Sequence, residues 1–289
     1  MARGIDHVVH AVRDLDAAAE FYRRLGFQVS GRNRHPPIWG TQNHIVQLDQ
    51  CYVELLGLGD TSRTAPHRPR YFSFGAFNRD FLARGEGLAM LALQGKGAAD
   101  AAEFRIAGIG DFEPFELERE GLRPDGTPVR FAFTLAFASD PHAPAAGFFS
   151  SLNRFPENFW NPAFQHHGNT AATLAGVVLV AENLSDHDIF LSAFTGEREL
   201  LATSSGMAIK TPRGEIRMMT PAAFRDHFAA EPPDTADGAR LAALRFATRD
   251  MNVTAKLLEQ TGLPHHARMG RIVIGPLAAI GATLAFEAV

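Results

Sequence analysis

The sequence predicts an α+β protein in which one β-α-β-β-β unit recurs four times. Three observations carry this. The stretches Asp14 to Gly26 and Asp250 to Gly262 share one plan: an acid where an N-cap belongs, an apolar helical stripe, and a glycine 12 residues on. Each predicted unit begins with an apolar strand, continues into a helix, and ends in runs that alternate with period two. At 289 residues the chain is also too long for one minimal domain, and units of this length pair into sheets rather than stack as a solenoid.

In the first unit, Ile5 to Val12 reads as a strand with His7, Val9 and Ala11 on one face and His10 on the other. The helix from Asp14 to Leu25 presents Leu15, Ala18, Ala19 and Tyr22 at spacings of three and four. Strands at Phe27 to Ser30, Asn43 to Leu48 and Cys51 to Leu56 complete it. Residues 59–71 carry Arg63, His67, Arg68 and Arg70 and read as a solvated linker. The second unit has a strand at Gly87 to Gln94, a helix at Ala98 to Ala107, and strands at Pro114 to Glu120, Val129 to Ala138 and Gly147 to Asn153, with a turn at Pro124-Asp125-Gly126. The third runs from Leu174 to Met219 and is followed by a helix opened by Thr220-Pro221 and a linker at 231–238. The fourth holds the strand Leu241 to Ala247, the helix closed by Gly262, and strands at Arg271 to Ile274 and Thr283 to Glu287.

Bulk properties exclude several classes. A net charge of −4 and a pI near 6.3 give no electrostatic case for nucleic acid. Cys51 is the only cysteine, so there is neither an internal disulfide nor a cysteine metal cluster, and a reducing, cytoplasmic setting is expected. Charges at Arg3, Asp6, Arg13 and Asp14 break any secretory h-region. The longest apolar stretch, Ile272 to Phe286, is 15 residues long and interrupted by Gly275, Pro276 and Gly281, too short to span a bilayer. No phosphate-binding glycine loop and no Gly-x-Ser-x-Gly elbow occurs.

Glu54 stands out because a carboxylate inside an apolar strand must face water, a cation or a lined cavity. Asn43 and Gln47 share a face of their strand and are read as lining a pocket, with His44 packing on the other side. Residues 154–170 are richer in aromatic and amide groups than a bare linker needs, which makes Trp160 and His166, with Trp39, candidate substrate-binding residues.

These units resemble the vicinal oxygen chelate superfamily, the glyoxalase and extradiol-dioxygenase fold. The residues that carry the resemblance are Asp6-His7-Val8-Val9, Val12-Arg13-Asp14-Leu15, Phe21-Tyr22-Arg23-Arg24-Leu25-Gly26-Phe27 and Tyr52-Val53-Glu54-Leu55. A closer resemblance, to the glyoxalase-like domain proteins, rests on His35, Trp39-Gly40-Thr41-Gln42-Asn43, Leu82-Ala83-Arg84-Gly85-Glu86-Gly87 and Gln165-His166-His167-Gly168-Asn169-Thr170. It implies four modules in two paired-module halves, 1–155 (with connector 58–86) and 156–289 (with bridge 156–170). It implies a divalent metal held by a first-strand His and a fourth-strand Glu, here His7 and Glu54, with Glu54 also the catalytic group. The matching first-strand positions in the other modules fall on Met90, Gly176 and Ala243, none of which can donate such a side chain. The site is therefore expected to be completed by Glu287, His166 or His167. The resemblance points to a metal-dependent lyase or isomerase acting on a small oxygenated substrate. The competing reading is a metal-free sequestering or resistance-type binder. A ring-cleavage dioxygenase ranks lower because only one matched His is present. A homodimer is compatible with the architecture.

Overall fold

The protein is described by a computed structural model over residues 2–122 and 126–289. Residues 124 and 125 of the expected Pro124-Asp125-Gly126 turn lie outside the described residues.

The first module consists of β1 (Ile5–Ala11), α1 (Leu15–Arg24), β2 (Asn33–Arg34), β3 (Thr41–Gln47) and β4 (Tyr52–Leu58). Its helix forms where the stripe predicts: Asp14 Oδ1 accepts from Ala17 N–H at 2.9 Å, and Leu15, Ala18, Ala19 and Tyr22 are buried. After α2 (Phe74–Arg84) come β5 (Gly87–Gln94), α3 (Ala98–Ile106), β6 (Phe115–Leu122), β7 (Pro128–Ala138) and β8 (Gly147–Asn153). These two modules form one eight-stranded sheet in the order β2-β3-β4-β1-β5-β8-β7-β6. Its centre is the antiparallel pair β1·β5, flanked by the parallel pairs β1·β4 and β5·β8.

A short helix, α4 (Pro156–Phe159), and a 3-10 turn (Pro162–Phe164) lead into the second half. There β9 (Ala171–Val180), α5 (Asp188–Thr195), β10 (Leu200–Thr203), β11 (Gly206–Lys210) and β12 (Glu215–Met219) form the third module. The fourth follows α6 (Pro221–Phe228) and contains β13 (Arg240–Thr248), α7 (Met251–Thr261), β14 (His266–Arg268), β15 (Arg271–Ile274) and β16 (Thr283–Ala288). The second sheet repeats the topology of the first, in the order β10-β11-β12-β9-β13-β16-β15-β14. The fold is thus four βαβββ modules paired into two halves, the α+β architecture expected.

One face of each sheet contributes to a single core. Val8, Leu55 and Leu91 of the first sheet join Val177, Leu244 and Phe286 of the second in one buried cluster. Phe27 lies 5.0 Å from Phe246, centroid to centroid, across the boundary. The opposite faces are cups. In the first, Val9, Leu56, Met90 and Phe149 pack with Phe74 and Phe81 of α2. In the second, Val178, Ala243 and Ala285 pack with Phe224 and Phe228 of α6.

Two local expectations are corrected. The segment 27–30 is not a strand: Phe27 is drawn into the core, and the Gln28 N–H goes to His167 Nδ1 at 2.9 Å instead of to a ladder. The short strand sits later, at Asn33–Arg34. The connector 58–86 also holds a helix that was not expected, α2, which begins after the 59–71 run read as a linker, with Ser73 Oγ accepting from Ala76 N–H at 3.1 Å.

Candidate functional site in the first cup

The β1 pleat points His7 into the first cup, and β4 brings Glu54 to the neighbouring row, where Val9 pairs with Glu54 across the parallel ladder. Both are buried, at 3% and 5% exposure. His7 stacks on Tyr52 with centroids 4.2 Å apart and meets Phe149 edge-on at 5.3 Å. Its Nδ1 lies 2.6 Å from Asp6 Oδ1. An ionised carboxylate only accepts, so Nδ1 carries a proton, and the tautomer this selects presents its lone pair at Nε2. That lone pair faces Glu54 Oε2 at 3.8 Å.

A second imidazole completes the arrangement. His35 lies in the 31–40 loop, stacked edge-on against Trp39 at 5.2 Å and Phe74 at 6.0 Å. The Asn43 amide donates to Glu54 Oε1 at 2.5 Å and lies 3.1 Å from His35 Nε2, while Asn43 Oδ1 accepts from Asn33 at 3.2 Å. Because Glu54 cannot donate, this amide orientation is fixed, and His35 Nε2 is an acceptor. His35 Nδ1–H therefore donates to Thr41 Oγ1, at 2.8 Å. Burial holds the His35 pKa below its ordinary value, and the Glu54 charge opposes this only in part. Its Nε2 lies 3.4 Å from Glu54 Oε1. Two imidazole lone pairs thus address the two oxygens of one buried carboxylate. The Asn43 amide bridges His35 Nε2 and Glu54 Oε1, so the unbridged contact is the one between His7 Nε2 and Glu54 Oε2, where a cation or a shared proton would relieve the repulsion.

Two imidazoles and a carboxylate are an ordinary donor set for a divalent transition metal. Their anchoring by Asp6, Thr41 and Asn43 is the outer-shell support such ligands need. Among the described residues, however, no three His, Cys, Asp or Glu side chains are gathered closely enough to form a finished metal centre. The donors fit a metal by chemistry; for His35 to join them, its Nε2 would exchange the Asn43 amide for the ion.

The cavity over these groups measures about 70 Å³. That holds a small molecule. Trp39, Phe74, Phe133, Phe149 and Phe159 are the aromatic part of a largely apolar wall, with Arg119 and Ser151 as further polar groups.

The structure distributes the other expected site residues unevenly. Asn43 and Trp39 line the cavity, the latter stacked 4.4 Å from Phe74. Gln47 instead ties down the bridge: it donates to the Phe159 carbonyl at 2.7 Å and accepts from Asn161 N–H at 3.1 Å. Trp160 lies in the outer groove beside Phe159. His166 is exposed and bonds the Pro162 carbonyl at 2.7 Å. His167 bonds the Gln47 carbonyl at 2.7 Å as a packing residue.

Glu287 is not brought to His7 and Glu54. It lies on β16 in the second sheet, paired with Arg245 at 2.6 Å and Arg271 at 2.5 Å. The register explains this. Five residues before Asp14, Gly97, Asn183 and Asp250, where each module's first strand gives way to helix (in the third module a 3-10 turn ahead of α5), stand Val9, Ala92, Val178 and Arg245, and across the parallel ladders they face Glu54, Phe149, Arg217 and Ala285. Ala285, not Glu287, is the counterpart of Glu54. Arg245 also holds Glu215 at 2.6 Å, so the second cup carries a closed ion cluster where the first carries His7 and Glu54.

Sequence reasoning did not single out His35 or Arg119 as site residues. His35 sits in a loop whose path periodicity does not give. Arg119 had a signal: Glu116, Glu118 and Glu120 alternate outward, which turns Phe115, Leu117 and Arg119 inward.

A family model described as a glyoxalase-like domain matches residues 5–194. The chain belongs to this glyoxalase-like family. Among curated proteins no sequence match is found. Solved structures share the fold over nearly the whole chain. A hypothetical protein from Staphylococcus aureus superposes with a TM-score of 0.67 at 11% identity, covering 99% of this chain and 100% of its own. A mutant of 4-hydroxymandelate synthase from Streptomyces coelicolor superposes with a TM-score of 0.59 at 13% identity, covering 99% and 92%. The glyoxalase-like protein therefore has the vicinal oxygen chelate fold in both halves. Among its described residues no helix is long and apolar enough to cross a membrane.

Proposed function

We propose that the first cup is the active site of a metal-assisted lyase or isomerase that moves a proton on a small oxygenated substrate. The observation that carries this reading is the convergence of two imidazole lone pairs on the buried Glu54 carboxylate. His7, His35 and Glu54 are the residues that would hold the ion. A divalent cation there would polarise neighbouring substrate oxygens and stabilise negative charge developing on them.

The chain's own groups then have separable roles. Asn43 occupies Glu54 Oε1 with a hydrogen bond and leaves Oε2 as the atom that takes a proton from the substrate carbon. The C–H electron pair passes into the adjacent carbonyl. Return of the proton to the neighbouring carbon gives isomerisation, and loss of a leaving group gives elimination. Asp6 and the Tyr52 ring keep the His7 imidazole from turning. The aromatic wall excludes water, which strengthens every charge interaction inside.

The test is elemental analysis of protein purified without chelator or histidine tag. Stoichiometric divalent metal is expected in the wild type, with loss in His7→Ala and Glu54→Gln and weakening in His35→Ala. Sub-stoichiometric metal that Glu54→Gln leaves unchanged would sink this reading. It would favour the metal-free binder, in which Glu54 pairs with a cationic ligand, a reading supported by the largely apolar wall.

A further inference from the structure

Strand β6 divides its charges by face. Outward-facing Glu116 pairs with Arg154, and outward-facing Glu118 pairs with Arg130. Arg119 points the other way, into the cup. Its guanidinium lies over the Phe131 ring, 4.5 Å from the centroid. No carboxylate among the described residues forms an ion pair with it, Glu54 on the same cavity included. It is half-buried, and loss of water lowers its pKa from the ordinary arginine value. A half-buried guanidinium without an anion is incomplete, because desolvation of a cation is offset only by a partner.

Its position says what that partner is. Arg119 lines the cavity above His7 and Glu54 and also the groove outside it, which runs between Val129 and Phe131 on one side and the bridge residues Phe159 and Trp160 on the other. A ligand lying from the cavity into the groove passes this guanidinium.

We infer that Arg119 is the specificity residue of the site and that the substrate is a small carboxylic acid with an aromatic or branched apolar body. The carboxylate takes the guanidinium fork, and the oxygenated carbon lies at His7, His35 and Glu54. One planar fork matches a carboxylate in two parallel hydrogen bonds. A phosphate dianion is a poorer match, since no second cation and no helix N-terminus joins Arg119 on the cavity wall. The inference deepens the proton-transfer reading of the same site and rests on it for the reacting end of the substrate.

Phenylacetate and its uncharged isostere phenylacetamide are suitable probes, titrated into the full-length protein with the fluorescence of Trp39 and Trp160 as readout. Wild type is expected to bind phenylacetate about tenfold or more tightly than phenylacetamide, the size of one charge-assisted contact. Arg119→Gln should abolish that preference by weakening phenylacetate alone, and Arg119→Lys, which keeps the charge but loses the fork, should retain part of it. Equal affinities in wild type, no saturable phenylacetate binding, or a preference that survives Arg119→Gln would each overturn the inference. Metal content separates the two readings. A preference that depends on Arg119 in a protein that binds no metal overturns only the metal-assisted reading. Metal that depends on Glu54, in a protein with no preference for the anion, overturns only this one.

Discussion

At the residue scale the site is a problem of proton placement. Asp6 fixes the Nδ1–H tautomer of His7 through a 2.6 Å contact, and Thr41 and Asn43 do the same for His35. Asp6→Asn removes the obligate acceptor and frees His7 to present either nitrogen. Apparent metal affinity is expected to fall about 10–100-fold with His7 and Glu54 intact, measured by competition with a chromophoric chelator. An unchanged affinity would show that Asp6 does not orient the ring. His7 and Glu54 were legible through the resemblance, which sets a first-strand His beside a fourth-strand Glu; parity gives only the face each takes on its own strand. His35 was not, because its approach depends on the path of an irregular loop and on an aromatic packing against Trp39 and Phe74 that is set in three dimensions. Glu287 misled for the opposite reason: its place near the end of the last strand looks right until the ladder is counted, when it falls two residues beyond Ala285.

At the element scale, α2 decides whether the cup is closed. It brings Phe74 onto Trp39 and buries Phe81 and Leu82 against the sheet. Its signals, Ser73 as a cap and Phe74, Phe77, Phe81 and Leu82 at helical spacing, were hidden by the Arg- and Pro-rich run before them. Ser73→Ala should cost about 1 kcal/mol through the lost cap, read from chemical denaturation. Phe74→Ala should cost about 3–5 kcal/mol and open the cavity wall. Gly75 is the tighter constraint, since a Cβ there would run into the Trp39 carbonyl. Gly75→Ala is therefore expected to destabilise more than Ser73→Ala, although alanine is the better helix former. The reverse order would mean that α2 does not dock as described.

At the scale of the whole molecule, the halves share one core and are cross-tied by buried polar groups. Arg3 donates to Asp100 Oδ1 at 2.7 Å and to the Phe194 carbonyl at 3.1 Å. His10 Nε2 donates to the Ile280 carbonyl at 2.8 Å, and its Nδ1 lies 3.0 Å from the Tyr22 hydroxyl. Burial pushes the His10 pKa down from 6.5 to about 4. The folded protein thus binds this proton less readily than the unfolded chain does. The stability that His10 contributes is complete above pH 6.5 and is lost as the pH falls towards 4, by about 3 kcal/mol in all. His10→Gln should flatten that part of the stability–pH curve; an unchanged slope would assign the acid sensitivity elsewhere. Because the core is continuous, calorimetry should show one unfolding transition rather than one for each half. The repeated topology was readable from the recurring units. The division of labour between the cups was not, because it depends on register: Arg217 and Arg245 fill the second cup at the rows that hold Glu54 and Val9 in the first.

The unequal walls of the first cup carry a stereochemical consequence. Across the β1·β5 centre, Met90 and Phe149 occupy the places that mirror His7 and Glu54. The buried carboxylate and the two imidazoles thus stand on one side, and at the mirrored positions the facing side offers only Met90 and Phe149. In the proposed reaction a flattened, planar substrate meets the base on one face only, and the proton that leaves can return only to that face. The product of such a site is of one hand, and its chirality is set by the unlike side chains at matched positions of the two modules.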